Sequence, residues 1–198
     1  MRLAGSGFIM AMVSNLAICA CWLVYIVYWI GSARRLKPVV ERQSWLSIIA
    51  HRGPIMLGAL MLLFPILSHS PGLALTPHTD FAVAIGAVVC VLGLSVAIWS
   101  RQTLAGNWSA TVTFKQGHEL VQAGPYRFVR HPIYTGILLM ILGSVIAVGR
   151  LHSWLGFLIV CAGFWIKLKQ EESLMLRHFP DEYPAYRARV KSLVPFLI

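Results

Sequence analysis

Acidic residues are scarce in this chain of 198 residues: seven Asp and Glu stand against seventeen Lys and Arg, and charged residues of both signs make up only 12%. So little charge, with 58% hydrophobic residues and a mean hydropathy of +0.71, excludes a soluble globular domain of ordinary composition. Cysteine is also sparse. Cys19, Cys21, Cys90 and Cys161 fall inside apolar runs with no His or acid at ligand spacing, so they read as small buried hydrophobes and imply neither a disulfide framework nor a metal site. No basic stripe with interleaved aromatics appears between the apolar segments, which argues against nucleic acid as the partner of the +10 formal charge. Internal repeats and low-complexity tracts are absent as well.

What the chain does have is long uncharged runs. Phe8 to Ile30 carries no charge and is long enough to cross a bilayer; it exceeds the hydrophobic stretch of a cleaved signal peptide, and Trp22, Tyr25, Tyr28 and Trp29 crowd its end as an interfacial belt does. A basic loop with Arg34, Arg35, Lys37 and Arg42 follows. The second span, Trp45 to Leu67, contains His51-Arg52-Gly53-Pro54, which puts Arg52 near the inner boundary or facing the protein interior, since charge at membrane depth is costly. Ser68 to Asp80, rich in Pro, Gly and His and free of Lys and Arg, reads as an outside loop. The third span, Phe81 to Ser100, shows a small-residue face of Ala82, Gly86, Cys90 and Gly93, suited to close helix packing.

Arg101 to His131 is the longest polar stretch between spans, and two short apolar helices, Ile133 to Val148 and Trp154 to Ile166, follow it as a hairpin around Gly149-Arg150-Leu151-His152-Ser153. Fourteen Lys and Arg fall in the first loop, the Arg101 to His131 segment and the tail, while only Arg2 and Arg150 lie on the other side, with Arg52 between. Positive residues concentrate on the cytoplasmic side, so the expectation is an outside N-terminus and an inside C-terminus. The fold class is all-α: a single multi-pass membrane domain of about five transmembrane helices, with residues 1–100 as a three-span scaffold and residues 101–198 holding the polar loop, the hairpin and the tail.

The stretch Gly124-Pro125-Tyr126-Arg127-Phe128-Val129-Arg130-His131-Pro132-Ile133-Tyr134 concentrates ionisable and aromatic groups between apolar segments. Gly124 and Pro125 break any preceding helix, and Pro132 suits the first position of the next one, where its missing N–H costs nothing; His131 is then the N-cap, at an end that favours anions. A tight hairpin returns its exit to its entrance. Glu171 and Glu172 are therefore expected beside Arg130, His131 and Tyr134, with Lys167 on the same helix face as Glu171.

The run His118-Glu119-Leu120-Val121, then Gly124, Tyr126, Arg130-His131-Pro132 and Tyr134, followed by Glu171-Glu172 and Phe179 to Tyr186, resembles the isoprenylcysteine carboxyl methyltransferase and phospholipid methyltransferase group of membrane enzymes. The likeness covers about the C-terminal half of the chain. It implies a cytosolic pocket for S-adenosyl-L-methionine lined by His118, Leu120, Val121, Gly124, Tyr126, His131, Pro132, Tyr134 and Glu171, with Arg130 or the helix N-terminus taking the carboxylate of the methyl donor. An arginine associated with the substrate carboxylate in the carboxyl methyltransferases is replaced here by Lys167, a point charge without the planar fork. Arg101 and Lys167 are the candidates for holding an anionic group of a lipophilic acceptor, and Glu172 or His131 the candidate base if the acceptor is an ammonium. An isoprenylcysteine carboxylate is the first acceptor implied, then a phospholipid amine or a thiol, at the cytoplasmic face of a cellular membrane, with no metal and no nucleic acid involved. A sterol-reductase-like oxidoreductase shares the His-Pro-x-Tyr element but needs a basic cluster for a dinucleotide phosphate. A small transporter predicts charges near the bilayer midplane.

Overall fold

The computed structural model describes residues 2–33, 39–42, 44–68, 73–76, 79–109, 111–115, 117 and 119–197. Six α-helices carry the fold: α1 (Arg2–Ser32), α2 (Trp45–Ser68), α3 (Asp80–Leu104), α4 (Pro132–Val148), α5 (Leu151–His178) and α6 (Glu182–Arg189). Within α1, α2, α3 and α5 lie segments long and apolar enough to cross a membrane, and α4 is a shorter apolar helix of 17 residues, about 26 Å at 1.5 Å per residue. The chain is an integral membrane protein.

Local chemistry accounts for the start of α3 and for both ends of α4. Thr79 caps α3, its hydroxyl accepting from the Ala82 N–H at 3.1 Å, with Asp80 in the first turn. Pro132 opens α4 and Gly149, at φ +66°, closes it in the left-handed conformation that glycine adopts without a Cβ penalty. A Cβ there would also lie 2.9 Å from the Thr76 carbonyl oxygen. The Gly149 carbonyl accepts from the Leu75 and Thr76 N–H groups at 2.9 and 3.1 Å, and Leu73 O accepts from the Leu151 N–H at 2.9 Å, so the α4–α5 turn is tied to the loop that precedes α3.

Two glycine-lined seams set the packing. Along α3 and α4 a Cβ at Gly93 would stand 2.6 Å from both the Gly136 carbonyl oxygen and the Met140 nitrogen, and Gly86 faces Gly143 in the same way. Along α2 and α5, Gly58 faces Gly156, and Gly163 lies against His51 and Ile55. The small-residue face of α3 is thus a close-packing seam. Its partners are on α4, so the α4–α5 hairpin is splayed: α4 lies mainly along α3, and α5 along α2. The first helix leans on α3, and the Trp22 indole donates to the Ser144 hydroxyl of α4 at 3.0 Å.

Three expectations need revision. The fifth span does not stop at Ile166: α5 runs on through the charged residues to His178, so the span and the start of the tail are one continuous helix. Helix α2 passes unbroken through His51-Arg52-Gly53-Pro54; Arg52 is exposed, and it is His51 that turns inward, fully buried, with Nδ1 2.8 Å from the Gln170 side-chain oxygen of α5. And the otherwise all-α chain holds a small antiparallel ribbon, β1 (Val39–Arg42) with β2 (Thr113–Lys115). Strands of four and three residues, drawn from two loops far apart in the chain, carry too little periodicity to be read from sequence. Arg34, Arg35 and Lys37 of the first basic loop lie outside the described residues.

Candidate functional site

Gly124, at φ +58°, starts a 3₁₀ turn over Gly124–Arg127 and leaves little room for a side chain, since a Cβ would lie 3.0 Å from the Thr103 hydroxyl. The turn drives Tyr126 inward, where its phenol reaches the Ser100 carbonyl at 3.4 Å and its own carbonyl accepts from the Tyr186 hydroxyl at 2.6 Å. His131 is the N-cap residue of α4, as expected from Pro132.

At that entrance two adjacent acids of α5 arrive and separate. Glu171 accepts a hydrogen bond from the Tyr134 hydroxyl through Oε1, and its Oε2 lies 3.5 Å from His131 Nδ1. Glu172, 2% exposed, accepts from the Arg130 guanidinium and lies 3.5 Å from His131 Nε2. The imidazole is therefore held between two carboxylates and lies parallel to the Tyr134 ring, centroids 5.6 Å apart. Burial alone would lower the His131 pKa; the hydrogen bonds and charges of Glu171 and Glu172 outweigh it and raise it above the ordinary histidine value. Burial raises the phenols of Tyr126 and Tyr183 and pushes Tyr186 up to about 12, so all three stay neutral.

His131, Tyr134, Glu171 and the three phenols, but not Glu172, open onto a cleft of about 830 Å³, counted out to its mouth. Leu104, Asn107, Trp108 and Ile133 wall it on the side of the helix bundle. Glu119, Leu120 and Val121 form another wall, and Met175 of α5 with Tyr183 and Tyr186 of α6 a third. Among the expected site residues, Leu120, Val121, Tyr126, Arg130, His131, Tyr134 and Glu171 line this cleft. Gly124 and Pro132 shape the backbone around it, and His118 lies outside the described residues.

Four candidate residues are engaged elsewhere or stand off the cleft. Arg130 lines the cleft yet has no donor to spare for a ligand carboxylate: Nε and Nη2 serve Glu172, Nη1 serves the carbonyls of Arg187 and Val190, and Nη2 also serves Ser192 Oγ at 2.7 Å. Glu172 is paired with that guanidinium. Arg101 does not reach the cleft; it is buried, donates to Ala105 O and Ser32 O at 2.7 and 2.8 Å, and lies 4.6 Å over the Trp108 ring. Lys167 stands behind the site wall, its Nζ 5.1 Å from the Tyr134 ring centre.

Asn107, Trp108, Tyr183 and Tyr186 are among the lining residues not selected as site residues from the sequence. The signal available for the first two was the Asn-Trp-Ser triplet early in the polar stretch after the third span; for the tyrosines it was the Phe179 to Tyr186 stretch of the family resemblance.

Residues 81–182, which run from α3 through α5 and include most of the cleft, match the family model described as phospholipid methyltransferase. A probable protein-S-isoprenylcysteine O-methyltransferase of Oryza sativa subsp. indica is 26% identical over 144 residues, covering 70% of this chain and 75% of the relative. The protein-S-isoprenylcysteine O-methyltransferase of Schizosaccharomyces pombe is 36% identical over 81 residues, 40% of this chain and 34% of that one. Among solved structures, a eukaryotic intramembrane Ras methyltransferase, isoprenylcysteine carboxyl methyltransferase, aligns with a TM-score of 0.49 at 23% identity, covering 79% of this chain and 55% of its own.

Proposed function

The chain belongs to the phospholipid methyltransferase family, and from that premise we propose that this integral membrane methyltransferase uses S-adenosyl-L-methionine to methylate a lipophilic acceptor, an isoprenylcysteine-like carboxylate before others. The observation that carries the reading is the Glu171 carboxylate, fixed by Tyr134 and His131 at the wall of a cleft beside the helix bundle. When bound, S-adenosylmethionine supplies a methyl group on a positively charged sulfur, together with an ammonium, a ribose diol and an adenine.

The residues present fit such a molecule. Glu171 is the lining carboxylate suited to the ammonium or the diol, and the Tyr134 hydrogen bond fixes its direction before any ligand arrives, so little ordering remains to be done on binding. The buried neutral phenols of Tyr126, Tyr183 and Tyr186, with Leu120 and Val121, keep the cleft poor in water without adding charge, which favours a displacement in which opposite charges cancel.

The same geometry favours an acceptor that is already anionic. An ammonium must lose a proton before it attacks, and neither candidate base is available: Glu172 is committed to Arg130, and His131 is held toward its protonated form by two carboxylates. A carboxylate needs no base. The reductase alternative lacks its requirement, because the cleft is lined by Glu119 and Glu171 and its one guanidinium is already paired. The distribution of Lys and Arg supports a site on the cytoplasmic side.

Calorimetric titration of the detergent-purified protein tests the reading. Saturable binding of S-adenosylhomocysteine, no binding of NADPH, and a loss of about tenfold or more in Glu171→Gln are expected, as befits one charge-assisted hydrogen bond. NADPH binding without S-adenosylhomocysteine binding would reverse the conclusion.

A further inference from the structure

Asn107 is 8% exposed and lines the cleft, and its Oδ1 is buried without a hydrogen-bond partner among the described residues. A buried amide oxygen left unsatisfied is costly, and a native site that keeps one is built for a donor that arrives with the ligand. The neighbouring hydroxyls do not fill that need, for Ser109 donates to Thr111 O at 2.6 Å and Thr113 donates to Ser109 at 2.9 Å.

The next residue narrows the donor. Trp108 lines the same cleft, and the Arg101 guanidinium lies 4.6 Å over its ring, with Trp29 edge-on at 6.0 Å. A ring already facing a cation is a poor seat for a sulfonium or an ammonium and remains a good one for a neutral aromatic. The carboxylate suited to the cationic groups is Glu171, on α5. An amide beside an indole matches adenine: the exocyclic amine donates to the amide oxygen, the amide nitrogen donates to a ring nitrogen, and the base stacks on the indole.

Resting on the methyl-donor reading above, we propose that Asn107 and Trp108 form the adenine subsite of the cleft, Asn107 reading the amine edge of the base, with buried Arg101 as the positioning residue that holds the Trp108 ring. Arg101, which makes no ion pair with any described acid and does not reach the cleft, thereby acquires a role.

Binding and melting measurements on the intact membrane protein test this. The probes are S-adenosylhomocysteine and S-inosylhomocysteine, in which a carbonyl replaces the amine. The wild type is expected to prefer the adenosyl compound by about tenfold or more. Asn107→Ala should lose that preference, bind S-adenosylhomocysteine about tenfold more weakly, and melt without ligand at the wild-type temperature or above it, because an unsatisfied group has been removed. Trp108→Leu should weaken both compounds alike, since stacking does not depend on the amine. An Asn107→Ala variant that keeps both affinity and preference overturns the subsite while leaving the donor reading intact, as does one in which only the acceptor KM rises. A wild type that binds neither compound overturns both readings.

Discussion

His131 sits between two carboxylates supplied by neighbouring positions of one helix, and this arrangement has a consequence in pH. The groups facing the imidazole are Glu171 and Glu172 from α5 and Tyr134 from α4, while the Arg130 guanidinium, and Arg187 at 3.6 Å, bear on Glu172. With the folded pKa raised above the unfolded value of about 6.5, protonated His131 contributes stability that is complete below that value and disappears as pH climbs through the folded one. The melting temperature of the wild type is therefore expected to fall by a few degrees on going from slightly acid to mildly alkaline buffer. His131→Gln, which keeps a hydrogen-bonding side chain but cannot titrate, should show a flatter profile over the same window. Parallel profiles for the two proteins would rule out His131 as the titrating group.

At the level of helices, the close seam between α3 and α4 places backbone against backbone, so there is no side chain to yield when volume is added. At Gly93 the atoms met at 2.6 Å are the Gly136 carbonyl oxygen and the Met140 nitrogen, both main chain. Gly93→Val must push α4 off α3, and with it the entrance that carries His131 and Tyr134. A loss of at least 1–3 kcal/mol, about the cost of overpacking elsewhere, is expected in denaturant or thermal unfolding in detergent. Gly31, in the last turn of α1, has nothing within 4 Å of its would-be Cβ. Gly31→Ala should leave stability unchanged or raise it by up to about 1 kcal/mol, the helix-propensity difference. If the two substitutions cost the same, the seam is not what holds the helices together.

Considered as a whole, the molecule braces its site with its own tail. The Lys191 and Ser192 carbonyls accept from the Arg130 and His131 N–H groups at 2.8 and 3.0 Å, the Leu193 carbonyl accepts from the Thr135 hydroxyl at 2.7 Å, and Val190 and Ser192 bind the Arg130 guanidinium. At the same end, Glu41 of β1 meets Arg177 and His178 of α5 at 3.1 and 2.7 Å, bracing the exit of that helix. Ending the chain after Arg189 would leave Glu172 with an Arg130 whose guanidinium has lost two of its five hydrogen bonds, those to Val190 and Ser192, while the apolar helices keep their seams. The expected result is near-normal helix content by circular dichroism together with loss of S-adenosylhomocysteine binding. Undiminished binding by the shortened protein would show that the tail is not part of the site's frame.

Hydropathy and turn chemistry are properties of a few adjacent residues, and what depends on them was legible beforehand: the apolar helices, the breaks at Gly124-Pro125 and Gly149, the helix start at Pro132 and the return of Glu171 to Tyr134; the family was legible only through the resemblance of its motifs. Pairings between distant residues are not written in any local pattern. Glu171 and Glu172 are the same residue type side by side, yet one faces a cleft and the other is sealed against Arg130. No spacing rule separates them, because their difference lies in which way α5 is rotated once α2 has packed against it. Arg130 looked free for a ligand until the tail folded back to occupy it, and Asn107 became a site residue only when the end of α3 was laid beside α5. Composition and local stereochemistry determined that this chain enters a membrane and where α4 begins and ends; the packing of helix on helix decided which polar atoms were left over for a ligand, since that is a sum over partners the linear chain does not contain.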